Sequence, residues 1–441
     1  MKNKLLTFPK GGVHPPKYKI STDCAIVDAP IPPQVYIPLQ QHKGKAAIPV
    51  VEKGDKVKVG TLLAKADGDF SANIHSSVSG EVKSIDFVVG ENGYPEKVIV
   101  IKTESDEWLE NIDRSPEIIS EISKDKDEIL EIIKQSGIVG LSGAGFPTPI
   151  KLNVPEGKKI DTLIINGIEC EPYLTSDDRV MQEKAEEIVV GAKILNKILG
   201  IQNALIAVDE NKLKAIAALK KVTSRYVGVN VVVCRTKYPQ GSEKQLIRAV
   251  AGREVPSGKL PADVGCIVQN VSTVFAIYEA VQKNKPLVER TLTLSGENIQ
   301  NPAVVRVRLG TPASFVLNQM NIDVSAAGKV VFGGPMMGVS AVNIDAPITK
   351  MTGGILVFQD DMAYKPEETE CIRCSRCVSA CPMGLQPFLI ANYVKDANFA
   401  ELKKLQIMNC IECGSCAYIC PAKIPLLDYC KLGKIEIRKQ K

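Results

Sequence analysis

No stretch of this 441-residue chain approaches the ~20 uninterrupted apolar residues that a membrane-spanning helix needs. The opening residues, MKNKLLTFPKGG, lack the apolar core and small-residue cleavage site of a secretory signal, so the expectation is a chain that stays in the reducing cytosol. Histidine is scarce. His14, His42 and His75 are the only three, all N-terminal, and read as surface or packing residues. No nucleophile constellation is visible. Excess charge is also missing: of the net +5, the segment KLGKIEIRKQK (431–441) sets five basic side chains against Glu436, leaving the rest of the chain close to neutral. That balance excludes the basic face of a nucleic-acid binder. The tail itself reads as a docking element for an acidic partner or membrane surface, or as a frayed end.

What the chain has is length, ordinary globular composition and cysteine. At ~150 residues per domain it should hold about three domains. Of its 13 cysteines, eight fall within residues 371–420, a distribution unlike a disulfide framework. Cys24, Cys170, Cys234, Cys266 and Cys430 are scattered singly and read as buried thiols. The clustered eight form two runs of the pattern Cys-x-x-Cys-x-x-Cys-x-x-x-Cys-Pro, at Cys371, Cys374, Cys377, Cys381 and again at Cys410, Cys413, Cys416, Cys420. Structural zinc usually takes two Cys-x-x-Cys pairs, whereas three cysteines at this pitch wrap a loop around three corners of a cubane. In two-cluster ferredoxins the fourth thiolate of each run ligates the other cluster. The expectation is therefore one [4Fe-4S] on Cys371, Cys374, Cys377 and Cys420, and a second on Cys410, Cys413, Cys416 and Cys381.

Upstream, residues 48–90 alternate β-branched residues with Gly-Asp and Ser-Gly turns, a run of short strands. With GDKVKVG and SGEV this stretch resembles a lipoyl or biotinyl carrier, a barrel-sandwich hybrid. The position of the carrier lysine falls at about Asp69, which cannot form the amide, so a structural role is expected. A helix is predicted from Ser115-Pro116 through EILEIIKQSG. Beyond it TLIIN, ALIAVD and VNVVVC read as strands and SDDRVMQEKAEEIVVGAKILNKIL and NKLKAIAALKKV as helices, with Ser176 or an aspartate starting the first. That alternation predicts a parallel sheet covered by helices, with ligands outside the carboxyl ends of its strands. From about Thr291 strands return with one helix, followed by FGGPMMG and a polar linker at 364–370. The stretch between the cages, PFLIANYVKDANFAELKKLQ, reads as helical.

Residues 137–152, GIVGLSGAGFPTPIKL, place glycines where backbone N–H groups can approach a phosphate or a flat ring. This loop resembles the flavin loop of the NADH-oxidising subunit of respiratory complex I. LIINGIECEPYLTSDDR, YPQGSEKQLIRAVAGREVPSG and VQNVST extend the similarity over about 115–290. The resemblance implies that Gly140, Gly143, Gly145, Lys151, Asn166, Asn270 and Thr273 cradle FMN, and that Phe146, Glu169, Glu171 and Glu243 shape the nicotinamide pocket. The chain departs from that pattern at Val139 and Leu141, where arginine is common, at Ser142 for glycine, at Ile168 for aspartate and at Ser242 for glutamate, so FMN or nucleotide affinity is expected to differ.

The whole order of segments, including FPKGGVHPPKYK at the start, resembles the C-subunit family of Rnf electron-transport complexes. It implies a multidomain α/β plus α+β chain: an N-terminal arm (1–35), a barrel-sandwich domain (36–104), a Rossmann-like FMN/NADH domain (105–290), a β-grasp ligand-binding domain (291–363), a helical two-cluster ferredoxin domain (364–430) and a basic tail (431–441). The implied activity is a ferredoxin:NAD oxidoreductase subunit, peripheral on the cytoplasmic side of the membrane, passing electrons between NAD(H), FMN and two [4Fe-4S] clusters. Its implied partners are the other membrane subunits, with ferredoxin as a further candidate. Alternatives are a cobalamin reductase-like protein and a non-catalytic electron wire.

Overall fold

The computed structural model describes residues 5–155, 157–297, 299–359, 363 and 366–439. Residues 364 and 365 of the expected linker and 440 and 441 of the expected tail lie outside the described residues.

Two small sheets make the barrel-sandwich unit. One holds strands Gln34–Pro38, Lys56–Val57, Ser79–Val89 and Pro95–Ser105; the other holds Ile48–Pro49, Leu62–Lys65 and Ile74–His75. Their inward side chains, among them Val35, Ile37, Leu63, Ile74, Val82, Ile99 and Ile101, are fully buried against one another. Period-two alternation is what lets such short strands hold a core. Asp69 lies on an exposed turn of this unit.

The central unit is a sheet of four parallel strands in the order Val229–Cys234, Ala204–Asp209, Thr162–Gly167, Cys266–Asn270. Apolar clusters cover both faces, which explains why these strands read as continuous hydrophobic runs. Counted along the chain, the strand order is third, second, first, fourth, so connections leave in opposite directions on either side of Thr162–Gly167. The crevice at the carboxyl ends of the first and fourth strands is thus a topological switch point.

Two helices differ from expectation. The helix predicted from Pro116 begins at Lys126, where Asp125 accepts from the N–H groups of Asp127 and Glu128 and the Glu128 carboxylate accepts from Asp125 N. This capping box is the stronger start signal. Residues upstream of it are tied instead to the helix Val271–Lys283: Tyr278 Oη accepts from Ile119 N (3.0 Å), and Gln282 Nε2 donates to the carbonyls of Ile119 and Glu121. The long helix expected from Ser176 is two helices, Ser176–Glu183 and Ala185–Leu199, broken at Lys184 (φ −123°, ψ 32°).

The third unit is a six-stranded mixed sheet in the order Ile26–Asp28, Ala303–Arg308, Glu289–Gly296, Gly354–Gln359, Ala327–Phe332, Val339–Ser340, with the helix Ala313–Gln319. Its first strand comes from the N-terminal arm and pairs in parallel with residues 304–306.

Helices Arg376–Ala380, Pro387–Lys395, Phe399–Lys404, Ser415–Tyr418 and Leu426–Lys439 frame the cysteine runs. The boundary expected at residue 430 falls inside the last of these. Gly433, Lys434 and Ile437 are buried in it, and Lys434 Nζ donates to Cys410 O (2.9 Å) and pairs with Glu412, so this part of the basic tail is bound to the second cysteine loop.

Candidate functional site

The two cysteine loops are conformational copies. Arg373 and Ser375 in the first have φ of 56° and 59°; Glu412 and Gly414, their counterparts, have 57° and 75°. Left-handed residues at alternate positions turn successive N–H groups toward the concave side of the loop. Hydrogen bonds to sulfur follow: Leu385 N donates to Cys381 Sγ (3.3 Å) and Glu412 N to Cys410 Sγ (3.4 Å).

Cys371, Cys374, Cys377 and Cys420 line a single cavity of about 120 Å³, closed by Phe388, Ile424 and Leu426. Three come from one run and the fourth from the other, the crossed set read from the spacing. Cys381 and Cys410 pack in one cluster, and Cys410 and Cys416 are near enough to Cys381 and Cys413 to act on them electrostatically, the proximity that the second crossed set requires. Among the described residues no three Cys, His, Asp or Glu side chains close on a single ion. Four sulfurs around a cavity of this size fit a multi-iron core, and in the second set N–H donors already reach sulfur, at Cys381 and Cys410. Cys430, read from sequence as a buried thiol, is 1% exposed and packs in one cluster with Cys381 and Cys410. Its place in the packed face of an apolar-patterned helix was the available signal.

The glycine loop lies over the switch point of the parallel sheet. Gly140 N donates to Phe146 O (2.9 Å), closing the loop, and Leu141 N donates to Thr273 Oγ1 (3.0 Å), pinning it to the start of the helix Val271–Lys283. Asn270 stands at the carboxyl end of its strand, paired in register with Asn166, and its Oδ1 accepts from Ser272 N and Thr273 N. Asn166 Nδ2 donates to Gly241 O (2.8 Å). Lys151, on the short helix after the loop, pairs at 2.6 Å with Glu243, the first residue of the helix Glu243–Val250. Contacts therefore bring Gly140, Lys151, Asn166, Glu243, Asn270 and Thr273 around one crevice.

Gly143 (φ 97°) is exposed and a Cβ there would meet no atom within 4 Å, whereas Gly145 (φ 62°) is pressed against Met351 and His42. Phe146 is half-buried and meets Phe70 of the barrel-sandwich unit edge to face, centroids 5.9 Å apart. The open space at Gly143 and the buried, unpartnered Thr148 Oγ1 fit a loop that receives a ligand such as FMN.

The acidic residues divide. Glu169 is turned inward, its side chain 5% exposed, with Oε1 accepting from Asp177 N (2.7 Å) and Oε2 from Asp178 N (3.2 Å), and Lys212 at 3.6 Å. It caps the helix Ser176–Glu183, the role expected of Ser176 or an aspartate. Lys19 of the N-terminal arm donates to the carbonyls of Glu169 (2.9 Å) and Glu171 (2.8 Å). Glu171 itself accepts from Met336 N (3.0 Å) in the GGPMMG turn, and burial pushes its carboxyl up to about 7. Tyr238 Oη, 3.4 Å from Glu171, also donates to Cys413 O at 2.8 Å. The acidic loop thus abuts the second cysteine cage. Ile168 is fully buried among Ile164, Leu246 and Ile247, a core position where a carboxylate would be stranded.

Lys350 was not singled out by its sequence context. It is fully buried, and its Nζ donates to Asn73 O (2.9 Å) and Gly137 O (2.8 Å), tying the barrel-sandwich unit to the start of the glycine loop. Desolvation pushes its pKa from 10.5 down to about 7. Between those values the unfolded chain holds a proton that the native chain lacks, so stability rises with pH from about 7 toward 10.5, by up to ~1.4 kcal/mol per unit. Chemical denaturation of the wild type and Lys350→Met across that range should show this slope as their difference; parallel curves would remove it.

Comparison with known proteins places this geometry. Residues 133–279 match the Nuo51 FMN-binding domain, 6–106 the RnfC barrel sandwich hybrid domain and 370–424 a 4Fe-4S dicluster domain. The chain is 44% identical to the C subunit of the proton-translocating ferredoxin:NAD(+) oxidoreductase complex of Clostridium ljungdahlii, over 90% of this chain and 86% of that one. It is 42% identical to the C subunit of the Na(+)-translocating ferredoxin:NAD(+) oxidoreductase complex of Acetobacterium woodii, over 98% and 97%. To the C subunit of the ion-translocating oxidoreductase complex of Rhodobacter capsulatus it is 38% identical, over 98% and 83%. Among solved structures, an NAD+-reducing [NiFe]-hydrogenase superposes with a TM-score of 0.52 at 17% identity, covering 72% of this chain and 62% of that chain, a likeness of fold. With near full-length identity of this order, the chain belongs to the family of C subunits of Rnf-type, ion-translocating ferredoxin:NAD(+) oxidoreductase complexes.

Proposed function

We propose that this chain passes electrons between NAD(H) and the remaining subunits of a ferredoxin:NAD oxidoreductase complex, bound peripherally on the cytoplasmic side of the membrane. The observation that carries the reading is the 2.8 Å hydrogen bond from Tyr238 Oη to Cys413 O, through which the flavin-type crevice and an iron–sulfur-type cage meet within one polypeptide. We read the parallel unit as Rossmann-like, which its strand order supports, and the mixed sheet with its helix as the β-grasp unit.

In this reading the open loop at Gly143 and the N–H groups around Gly140 and Gly145 receive FMN, Lys151 supplies positive charge for its phosphate, and Asn166, Asn270 and Thr273 hold the floor of the crevice. FMN, when bound, supplies the conversion between two-electron hydride chemistry and single-electron transfer. Phe146 offers a ring for the nucleotide, Glu171 and Glu243 border the pocket, and Glu169 acts by holding the acidic loop in shape. Cys381, Cys410, Cys413 and Cys416 hold the cluster beside the flavin domain. Cys371 and Cys374 are exposed, with Ile372 exposed between them, so the other cluster faces outward and is the exit toward a partner subunit.

Loaded anaerobically with FMN, iron and sulfide, the chain should hold one flavin and about eight irons, and NADH should bleach the flavin. Lys151→Met should weaken FMN binding about tenfold in a fluorescence titration. Clusters that assemble without flavin uptake, or a bound flavin indifferent to NADH, would sink the reading.

A further inference from the structure

The segment containing Gly11 and Gly12 is neither a free arm nor part of the barrel. Leu6 lies parallel to Cys234 at the edge of the four-stranded sheet, with Leu6 N donating to Val233 O (3.2 Å) and Arg235 N to Leu6 O (2.8 Å). Lys237 Nζ then donates to Phe8 O (3.1 Å) and sits 4.0 Å over the Phe8 ring. At the other end Val13 and Tyr238 exchange both backbone hydrogen bonds, at 2.8 and 2.9 Å.

Between these anchors the chain is pressed against the second cage. Gly11 and Gly12 have φ of 70° and 89°, and Gly12 N donates to Ala380 O at 2.8 Å. A Cβ on Gly11 would lie 2.5 Å from the carbonyl carbon and oxygen of Cys381, and one on Gly12 would lie 2.7 Å from Tyr238 O. The contact is backbone on backbone, and any side chain forces it apart. Around it, Tyr238 Oη holds Cys413 O, and Gln245 Nε2 reaches Met383 Sδ at 3.2 Å. The covalent link to the cluster domain, by contrast, runs through exposed residues 366–370.

We propose that Gly11–Val13 is a strap that positions the second cluster against the flavin domain and so sets the rate of electron transfer between them. The inference rests on the flavin-to-cluster reading above. In the step concerned, NADH gives up a hydride and leaves as NAD+. Of the two electrons one passes to each oxidised cluster, and the proton goes to water. Gly11 supplies no ligand to either cofactor site; its backbone meets the backbone of Cys381.

The test uses the full chain carrying FMN and both clusters. In Gly11→Ala, stopped-flow mixing with NADH should show flavin reduction at the wild-type rate and cluster reduction, followed by freeze-quench EPR, slower by about tenfold or more. Cluster midpoint potentials should stay unchanged, separating a displaced cluster from a damaged one. Wild-type cluster reduction in this variant overturns the proposal. Should the variant fail to retain iron, hydrogen exchange on the wild type decides: protected amides at Gly12, Val13 and Tyr238 support the strap, and exchange at the rate of an unstructured peptide refutes it. A wild-type flavin that NADH leaves oxidised refutes the parent reading, and the exchange measurement then judges the strap alone.

Discussion

Cys420→Ser should strip the cluster held by the first cysteine loop and spare the one held by its own. Cys420 lines the same cavity as Cys371, Cys374 and Cys377, although 39 positions separate it from Cys381, the last cysteine of their run. Serine keeps the shape but offers an alcohol where a thiolate is needed, and a cubane lacking a corner ligand is lost under mild chelation. Iron should fall from about eight to about four per chain. EPR of the reduced protein should keep the spectrum of the cluster nearer the flavin domain, so that NADH still reduces it. Cys381→Ser should give the mirror result, leaving a cluster that dithionite reduces and NADH does not. If Cys420→Ser removes the cluster adjoining the flavin domain instead, ligation is not crossed and the electron order proposed from it fails.

Arg290→Met should destabilise the folded chain by about 3–5 kcal/mol. The guanidinium is fully buried, donates to Leu141 O at 2.8 Å, and faces the buried carboxylates of Asp177 and Glu169. Asp177 accepts from Asn270 Nδ2 (2.7 Å) and Ser272 Oγ (2.5 Å), but burial already pushes its carboxyl up, and without the arginine it loses the positive charge that favours its ionised form. Methionine fills the volume and leaves the carboxylate stranded. The loss reaches the crevice as well, because Leu141 belongs to the glycine loop. Urea unfolding should show the drop, and Asp177→Asn placed on top of Arg290→Met should restore part of it. A double variant no more stable than the single would mean that the carboxylate was never the cost.

What the chain discloses before folding depends on how local the physics is. The cysteine cages were legible because their chemistry is set by spacing over a dozen residues, and the parallel strands because burial on both faces leaves an unbroken apolar run. The helix start at Lys126 was misplaced although its capping box was present, since Ser115-Pro116 imitates an N-cap followed by proline at the first helical position. Other features were out of reach. Glu169 looks like a pocket residue in its motif, yet its job as a cap depends on where residues 176–178 arrive. Lys350 sits in a stretch of unremarkable composition, and only tertiary burial makes it a cross-domain tie. The strand Ile26–Asp28 carries no signal of its own, being three residues long and paired across 278 positions.

That last pairing orders the birth of the molecule. Made at roughly 5–20 residues per second, the chain delivers residues 26–28 about 15 to 60 s before the edge they complete has left the ribosome. Until then residues 26–28 have no strand to pair with, and afterwards the bare edge at 303–306 is a template for the wrong neighbour. Versions shortened from the front to begin at the barrel should therefore collect in inclusion bodies, and a detached peptide spanning 5–30, supplied during refolding, is what should bring them back into solution.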